Sequence, residues 1–182
     1  MKQIQLRANI TGVGNYLPEK ILTNNDIEKL VDTSDDWIQS RTGIRERRIV
    51  QSGEASAKMA TNAVNNLMEQ YALSAGEIDT IIVATITPDM MFPSTAALIQ
   101  KNIKAKNSWG YDLSAACSGF LFALQSGASL IISGHSKKVI VIGVDTMSSI
   151  LDFTDRNTCI LFGDGAGAVL LEPSDEYGIM DS

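Results

Sequence analysis

Cysteine and histidine are scarce in this sequence, and that scarcity excludes several classes of site. The 182 residues contain two cysteines, Cys117 and Cys159, and one histidine, His135. Two cysteines do not make a disulfide framework, and the chain has no CxxC pattern. A single histidine with two separated cysteines does not supply the ligands of a structural zinc site. We therefore expect no metal site, and each cysteine has to be judged as a single thiol.

Positive charge is also scarce, particularly late in the chain. The net charge is −6, the isoelectric point is near 4.7, and no Lys or Arg follows Arg156. Nucleic-acid-binding proteins normally carry a basic surplus, so the composition argues against that function. Residues 41–48, Arg-Thr-Gly-Ile-Arg-Glu-Arg-Arg, are net positive. This segment is either a solvated basic surface or a receptor for an anionic ligand.

The N-terminal residues lack the apolar core of a signal peptide, and we expect a cytoplasmic protein. One long stretch, residues 113–135, has no formally charged side chain. Its length alone suggests a membrane span. Its many serines and glycines, the internal Gln125 and the strand that leads into it favour a helix buried within the protein.

Short apolar runs alternate with helical patterns, and this alternation predicts the fold class. Strands are expected at 10–17, 78–85, 109–113 and 138–144, and longer helices at 54–73, 94–103 and 117–133. Shorter helices are predicted at 27–31 and 34–41. Residues 159–171 are expected to form two antiparallel strands joined by a glycine-rich turn. The pattern predicts one α/β domain with a mainly parallel mixed sheet and helices on both faces.

Cys117 lies in the run Asp112-Leu-Ser-Ala-Ala-Cys-Ser-Gly-Phe120, where a predicted strand meets a predicted helix. Unpaired backbone N–H groups and the positive end of a helix dipole favour the thiolate, which is the nucleophilic form of the side chain. The small neighbouring residues would let a substrate carbonyl approach the sulfur. The alternative is an inert cysteine that fills a contact between helix and sheet. Sites in such folds lie at the carboxyl ends of strands, which is where Cys117 falls.

Trp37 and Arg41 are one helical turn apart on a predicted helix. The pair is either ordinary cation–π packing or a flat stacking surface beside a cation, as an adenine nucleotide with phosphates requires. Arg156, in a predicted loop, could hold a flat ring from the opposite side. His135 lies past the far end of the helix that begins at Cys117, some ~25 Å away. We interpret His135 as a surface loop residue and not as the base of a Cys–His pair.

Six segments, in one order along nearly the whole chain, resemble the β-ketoacyl-acyl-carrier-protein synthase III family of thiolase-like condensing enzymes. They are residues 12–18, 32–38, 41–47, 112–120, 154–156 and 162–167. The resemblance implies that Cys117 accepts an acyl group from coenzyme A and that malonyl-acyl carrier protein is then condensed with it, which initiates fatty-acid synthesis. It also implies that Trp37 and Arg156 sandwich the adenine of coenzyme A, with Arg41 near the nucleotide phosphates. Phe92 matches an aromatic residue that crosses a dimer interface to shape the acyl pocket of the other subunit.

The resemblance further implies what this chain lacks. Family members are much longer and consist of two similar α/β halves, with the catalytic His and Asn in the second half. We therefore expect residues 1–182 to be an N-terminal thiolase-like domain, with the C-terminal catalytic half absent. The implied partners are a coenzyme A thioester, an acyl carrier protein, a second copy in a homodimer and the missing half. Acyl-CoA is a substrate here, and no cofactor is implied.

Two other functions stay open at this point. One is another thiolase-like acyltransferase, such as a hydroxymethylglutaryl-CoA or polyketide-type synthase, which would differ in its preferred extender unit. The other is a non-catalytic half that serves folding and dimerisation. An isolated half is expected to expose a broad apolar face where the second half packs.

Overall fold

The computed structural model describes residues 6–179. The strands are β1 (Arg7–Tyr16), β2 (Lys20–Thr23), β3 (Glu46–Ile49), β4 (Thr80–Ala84), β5 (Trp109–Leu113), β6 (Val139–Thr146) and β7 (Asp164–Ser174). The α-helices are α1 (Asn24–Ile27), α2 (Asp35–Thr42), α3 (Ser56–Gln70), α4 (Thr95–Ile103) and α5 (Gly119–Ile132). Short 3₁₀ turns occur at Ala75–Glu77, Ala116–Ser118 and Met147–Ser149.

Five strands form one sheet in the order β1–β7–β6–β4–β5. Strand β4 pairs in parallel with both β5 and β6, whereas β7 pairs antiparallel with β6 and β1. Four of the five strands therefore run in one direction, with β7 reversed. This confirms the prediction of a mainly parallel, mixed sheet in an α/β domain.

Helices cover both faces of this sheet because successive side chains of β4 point to opposite faces. On one face, Ile81 and Val83 pack in a core with residues of α3 and α4, among them Met59, Leu67 and Ile99. On the other face, Ile82 packs with Ala123 and Ile131 of α5. All five residues of β4 are buried, as its uninterrupted apolar sequence predicts.

A smaller layer consists of the two-stranded ribbon β2–β3 together with α1 and α2. Ser34 accepts a hydrogen bond from the Trp37 N–H as the N-cap of α2, and Gly43 ends that helix in the left-handed conformation at φ 73°. These are the start and stop signals that predict helix 34–41. Ile27 and Ile38 pack with Cys159 and Ile160 in a third core, which joins the ribbon to the segment before β7.

Two sequence-based expectations about local structure are wrong. Residues 159–171 do not form two strands, because the structure has turns up to residue 161 and then, from residue 164, the single strand β7. Strand β7 bonds to β6 on one side and to β1 on the other, so its glycines lie within a paired strand. The short helix predicted at 27–31 is instead α1 at Asn24–Ile27, which is capped by Thr23 through a capping box with Asp26.

Helix α5 occupies much of the uncharged stretch 113–135, and its residues Gly119, Ala123, Gly127, Ala128 and Ile131 are buried. No helix within residues 6–179 is long and apolar enough to cross a membrane. The stretch is therefore accounted for by the short strand β5, the turn after it and a 14-residue helix that packs on the sheet.

Candidate active site

Cys117 lies in the turn between β5 and α5, and its side chain is exposed. We refer to residues 114–118 as the Cys117 turn. Ala116, directly before the cysteine, has φ 47°, a left-handed conformation that costs an alanine on the order of 1–2 kcal/mol. Such strain persists only where the surrounding structure imposes it, and it clusters at functional sites. The structure confirms that Cys117 follows a strand and precedes a helix.

The beginning of α5 brings the positive end of a helix dipole close to Cys117. Ser118 is the N-cap of α5, and its side chain makes no capping hydrogen bond. The N–H groups of Ser118 and Gly119 donate to the carbonyl oxygens of Ala115 and Ala116 in the preceding 3₁₀ turn. The helix therefore favours an anionic group at the Cys117 turn through the positive end of its dipole.

A cavity of about 530 Å³ opens beside the Cys117 turn, within the size range of small-molecule sites. Ser114 of the turn and Tyr111 of β5 line it on one side, and Thr85 and Ile86 after β4 line another. Its remaining lining includes Met90, Met91 and Ser94 from the segment between β4 and α4. Through Ser114 the cavity borders the Cys117 turn, and its mainly apolar lining can hold a short apolar group there.

Asp112 fixes the segment that borders this cavity, a role that sequence reasoning missed. Its two carboxylate oxygens accept hydrogen bonds from the backbone N–H groups of Thr95, at 2.6 Å, and Ala96, at 2.8 Å. Strand β5 is thereby tied to the N-terminus of α4, where a negative charge is favourable. The sequence feature that indicates this role is a carboxylate inside an otherwise apolar strand.

Phe92 lies in the segment that Asp112 anchors, between β4 and α4. Its side chain is 88% exposed, and that of Met91 is 96% exposed. No other part of the described chain buries these two large apolar side chains. The structure therefore places Phe92 near the cavity-lining segment but leaves its ring without a packing partner.

Trp37, Arg41 and Arg156 form a second group, which we call the Trp37 cluster. The Cζ atom of Arg41 lies 4.9 Å from the centroid of the Trp37 ring, and that of Arg156 lies 4.3 Å from it. Both distances are within cation–π range. The structure thus brings together the three residues that sequence reasoning associated with an adenine nucleotide. Cys117 and Phe92 belong to other elements and are not part of this cluster.

Arg156 is presented by a well-braced turn, residues 152–161, which we call the Arg156 turn. Asp155 accepts hydrogen bonds from the Thr158 hydroxyl at 2.7 Å and the Asn157 N–H at 2.9 Å. These bonds lower the pKa of Asp155 below its ordinary value. Asp152 accepts in the same way from the hydroxyl and N–H of Thr154, which lowers its pKa as well. The turn therefore holds its shape at neutral pH through ionised carboxylates.

His135 and Cys159 are the only histidine and the second cysteine of the chain. His135 is exposed beyond the C-terminal end of α5, and its ring meets the edge of Trp109 at 5.9 Å between centroids. This confirms its interpretation as a surface residue. Cys159 is fully buried, and burial raises the pKa of its thiol, as does the charge of Asp155. Cys117 is the exposed thiol of the pair.

Comparison with known proteins gives a consistent result. Residues 111–182 match the family described as 3-oxoacyl-[acyl-carrier-protein (ACP)] synthase III. The β-ketoacyl-[acyl-carrier-protein] synthase III of Chlorobaculum tepidum is 57% identical over 180 residues, which are 97% of this chain and 55% of that protein. The corresponding protein of Koribacter versatilis is 53% identical over 178 residues, covering 96% of this chain and 54% of its own length.

Solved structures agree with this result. The synthase III of Aquifex aeolicus superposes with a TM-score of 0.90 at 51% identity, over 93% of this chain and 55% of that one. A priming β-ketosynthase of a polyketide pathway gives 0.89 at 38% identity, over 92% of this chain and 50% of that one. The chain thus spans about half the length of the relatives it matches. Over that half, the chain is similar in sequence and in fold to proteins named β-ketoacyl-acyl-carrier-protein synthase III.

Proposed function

We propose that this chain is the N-terminal, nucleophile-bearing half of a β-ketoacyl-acyl-carrier-protein synthase III. In this proposal the complete enzyme initiates fatty-acid synthesis by condensing a short acyl-CoA with malonyl-acyl carrier protein. The observation that carries it is the exposed Cys117 thiol, held after a strained Ala116 at the start of α5 and beside a cavity of about 530 Å³. The similarity to proteins named β-ketoacyl-acyl-carrier-protein synthase III supports it.

The proposed first step is acyl transfer to Cys117. The thiolate attacks the thioester carbonyl, a new carbon–sulfur bond forms, and the bond to the coenzyme A sulfur breaks. The departing coenzyme A thiolate takes up the proton that Cys117 lost. The positive end of the α5 dipole helps to stabilise negative charge near the sulfur. The later decarboxylation and carbon–carbon bond formation use the His and Asn that the family resemblance assigns to the other half.

The Trp37 cluster is the proposed site for the adenine of coenzyme A. In the described structure the Arg156 guanidinium lies directly over Trp37, at 4.3 Å. A planar base between them needs two van der Waals separations, or about 7 Å in all. Arg156 therefore has to move outward by roughly 3 Å when the base enters. Arg41 is on the same helix as Trp37 and stays beside it, and its positive charge is proposed to contact the nucleotide phosphates.

The assembly is also a proposal. Helix α5 leaves Leu121 and Phe122 exposed, by 64% and 55%, although they are large apolar side chains. A second α/β half packed on this helix would bury them. Strand β5 is an edge strand of the sheet, and Phe92 of the segment before α4 is exposed. These features suit a homodimer in which a second copy covers the β5 edge and receives Phe92.

Acyl carrier protein is the proposed second substrate carrier and the cytoplasm the proposed location, both by analogy with the family. A related activity is the second candidate, because a priming β-ketosynthase of a polyketide pathway has nearly the same fold over this half. The extender unit separates the two. Condensation with malonyl-acyl carrier protein supports a synthase III, whereas product from a coenzyme A-bound extender alone supports another thiolase-like acyltransferase.

Acyl labelling tests the proposed role of Cys117. The complete enzyme and the 182-residue chain are each incubated with radiolabelled acetyl-CoA, and protein-bound label is counted after denaturation. We expect the label to be lost in Cys117→Ser and retained in the matched control Cys159→Ser. Equal labelling of the parent and Cys117→Ser would contradict the proposal.

A further inference from the structure

Two charged side chains in the described part of the chain are more than nine-tenths buried: Arg47, at 4% exposure, and Asp164, at 5%. Neither forms an ion pair within residues 6–179. A buried charge without a counter-ion is costly unless neutral groups satisfy its hydrogen bonds. Arg47 is satisfied in a way that links two distant parts of the Trp37 cluster.

The Arg47 guanidinium bridges two acceptors from different segments. Its Nε and Nη2 donate to the carbonyl oxygen of Ile160, and its Nη1 donates to Oδ1 of Asn24. Burial lowers the pKa of Arg47 below its ordinary value. Even so, arginine remains charged at neutral pH. The planar guanidinium holds its donors in a fixed arrangement, so the two acceptors are kept at a defined separation.

Asn24 continues this connection to helix α2. Its Nδ2 donates to Oδ1 of Asp35, at 2.7 Å, and to the carbonyl oxygen of Ile44, at 2.8 Å. Asp35 is the first residue of α2, two positions before Trp37, and Asn24 itself is 1% exposed. The buried amide therefore ties Arg47 to the helix that carries Trp37 and Arg41.

Ile160 continues the connection in the other direction, to Arg156. It lies at the end of the Arg156 turn, in which the Cys159 N–H donates to the Asp155 carbonyl at 3.0 Å. Ile160 is also buried against Ile27 and Ile38 of the third core. Because these hydrogen bonds brace the turn, we expect a displacement of the Ile160 carbonyl to displace Arg156 as well.

We propose that Arg47, acting through Asn24, is a positioning residue that sets the distance between the Trp37 and Arg156 sides of the cluster. A hydrophobic residue of similar size would fill the same space but would connect neither side. Arg47 is buried and does not contact the ligand. The identity of that ligand, the adenine of a coenzyme A thioester, rests on the proposed function. The positioning role rests on the hydrogen bonds themselves.

The first test measures the cluster without any ligand. Trp37 and Trp109 are the two tryptophans of the chain, so Trp109→Phe leaves Trp37 as the sole fluorescence reporter. In that background we expect Arg47→Met to make acrylamide quenching of Trp37 steeper, because Arg156 no longer stays over the ring. Arg7→Met is the matched control, since Arg7 also donates to a backbone carbonyl, that of Glu176, but lies on β1. It should quench as the parent does.

The second test measures the affinity of the same variants for coenzyme A by titration of Trp37 fluorescence. We expect Arg47→Met to raise the Kd roughly tenfold, within the loss that a small misplacement of binding groups causes. The alkylation rate of Cys117 by iodoacetamide should be unchanged, because the Cys117 turn lies on other elements. Arg47→Lys keeps the charge but loses the planar fork, and we expect it to weaken binding as well.

The outcomes separate the two proposals. If the parent does not bind coenzyme A while Arg47→Met still exposes Trp37, the proposed function fails and the positioning role stands. If Arg47→Met is folded and matches the parent protein in both acrylamide quenching of Trp37 and affinity for coenzyme A, the positioning role is overturned. Loss of the far-ultraviolet circular dichroism spectrum in both Arg47→Met and Arg47→Lys also overturns it, because Arg47 would then support the whole fold and not this cluster.

Discussion

The Cys117 turn and the Trp37 cluster are stabilised in different ways. The Cys117 turn depends on backbone: a left-handed Ala116, the start of α5 and a strand end tied down by Asp112. The Trp37 cluster depends on side chains, which stack on one another over a network of buried hydrogen bonds. The cluster is complete within this chain. The cysteine, in contrast, has no His within hydrogen-bonding reach in the described residues, since His135 contacts Trp109 beyond the far end of α5.

This difference indicates how the proposed activity divides. A site for the nucleotide end of coenzyme A needs a flat ring and cations, and three residues from two segments supply them. A condensing site needs a nucleophile together with groups that stabilise an enolate, and Cys117 is the proposed nucleophile in this half. Binding and the first acyl transfer are therefore expected to be separable from condensation.

The largest expected effect concerns the two thiols. Ellman's reagent should modify Cys117 in the native protein at least about a hundredfold faster than Cys159. The buried Cys159 can react only after a local unfolding of the third core, which costs several kcal/mol. Because burial raises the pKa of Cys159, its thiolate fraction stays small until the pH exceeds the ordinary thiol range of about 8.5. Cys117→Ser and Cys159→Ser assign the two rates. A fast Cys159 would show that the third core opens readily.

A smaller effect is expected when the aromatic surface is removed. Trp37→Ala should weaken coenzyme A binding by about 1–3 kcal/mol, the usual contribution of an aromatic side chain that stacks on a base. Isothermal titration calorimetry of the 182-residue chain measures the change. Trp109→Ala, which removes the other tryptophan at the sheet edge, is the control and should bind as the parent. If both variants lost the same coenzyme A affinity, the Trp37 cluster would not be the specific binding site.

The smallest expected effect is at Asp112. Asp112→Asn removes the negative charge at the start of α4 and offers only one oxygen to two N–H donors, at a cost of about 1 kcal/mol. The urea midpoint should fall accordingly, and acyl labelling of Cys117 should slow while coenzyme A affinity is unchanged. Asp175→Asn, at an exposed position after β7, should leave all three quantities at parental values. A loss of coenzyme A affinity in Asp112→Asn would mean that the two regions are coupled.

Local patterns in the sequence predict much of the fold. Strand β5 has the predicted limits, Trp109–Leu113, because an apolar run is bounded by small and polar residues. Helix α2 begins after Ser34 and ends before Gly43 because a cap and a left-handed glycine act locally. The approach of Trp37 and Arg41 follows from helical spacing alone. In each case the decisive interactions join residues close together in the chain.

The features that sequence reasoning missed depend on contacts between distant residues. Arg47 and Ile160 are 113 positions apart, and no periodicity relates them. The glycines within residues 159–171 predict a turn between two strands, whereas the structure has one strand at Asp164–Ser174. Pairing with β1, which begins at residue 7, and with β6 keeps that segment extended. Asp112 has the same explanation, since its partners belong to a helix whose direction only the folded chain defines.

The conformation of Ala116 has a consequence for variation at that position. Glycine would adopt φ 47° without the steric cost that alanine carries, but it would also enlarge the set of conformations open to the unfolded chain. A β-branched residue would meet a much larger penalty in the left-handed region. Substitution libraries at residue 116 should therefore recover alanine and glycine and reject valine and isoleucine. The backbone conformation of residue 116 thus restricts which residues are tolerated before Cys117, whether or not a substrate is bound.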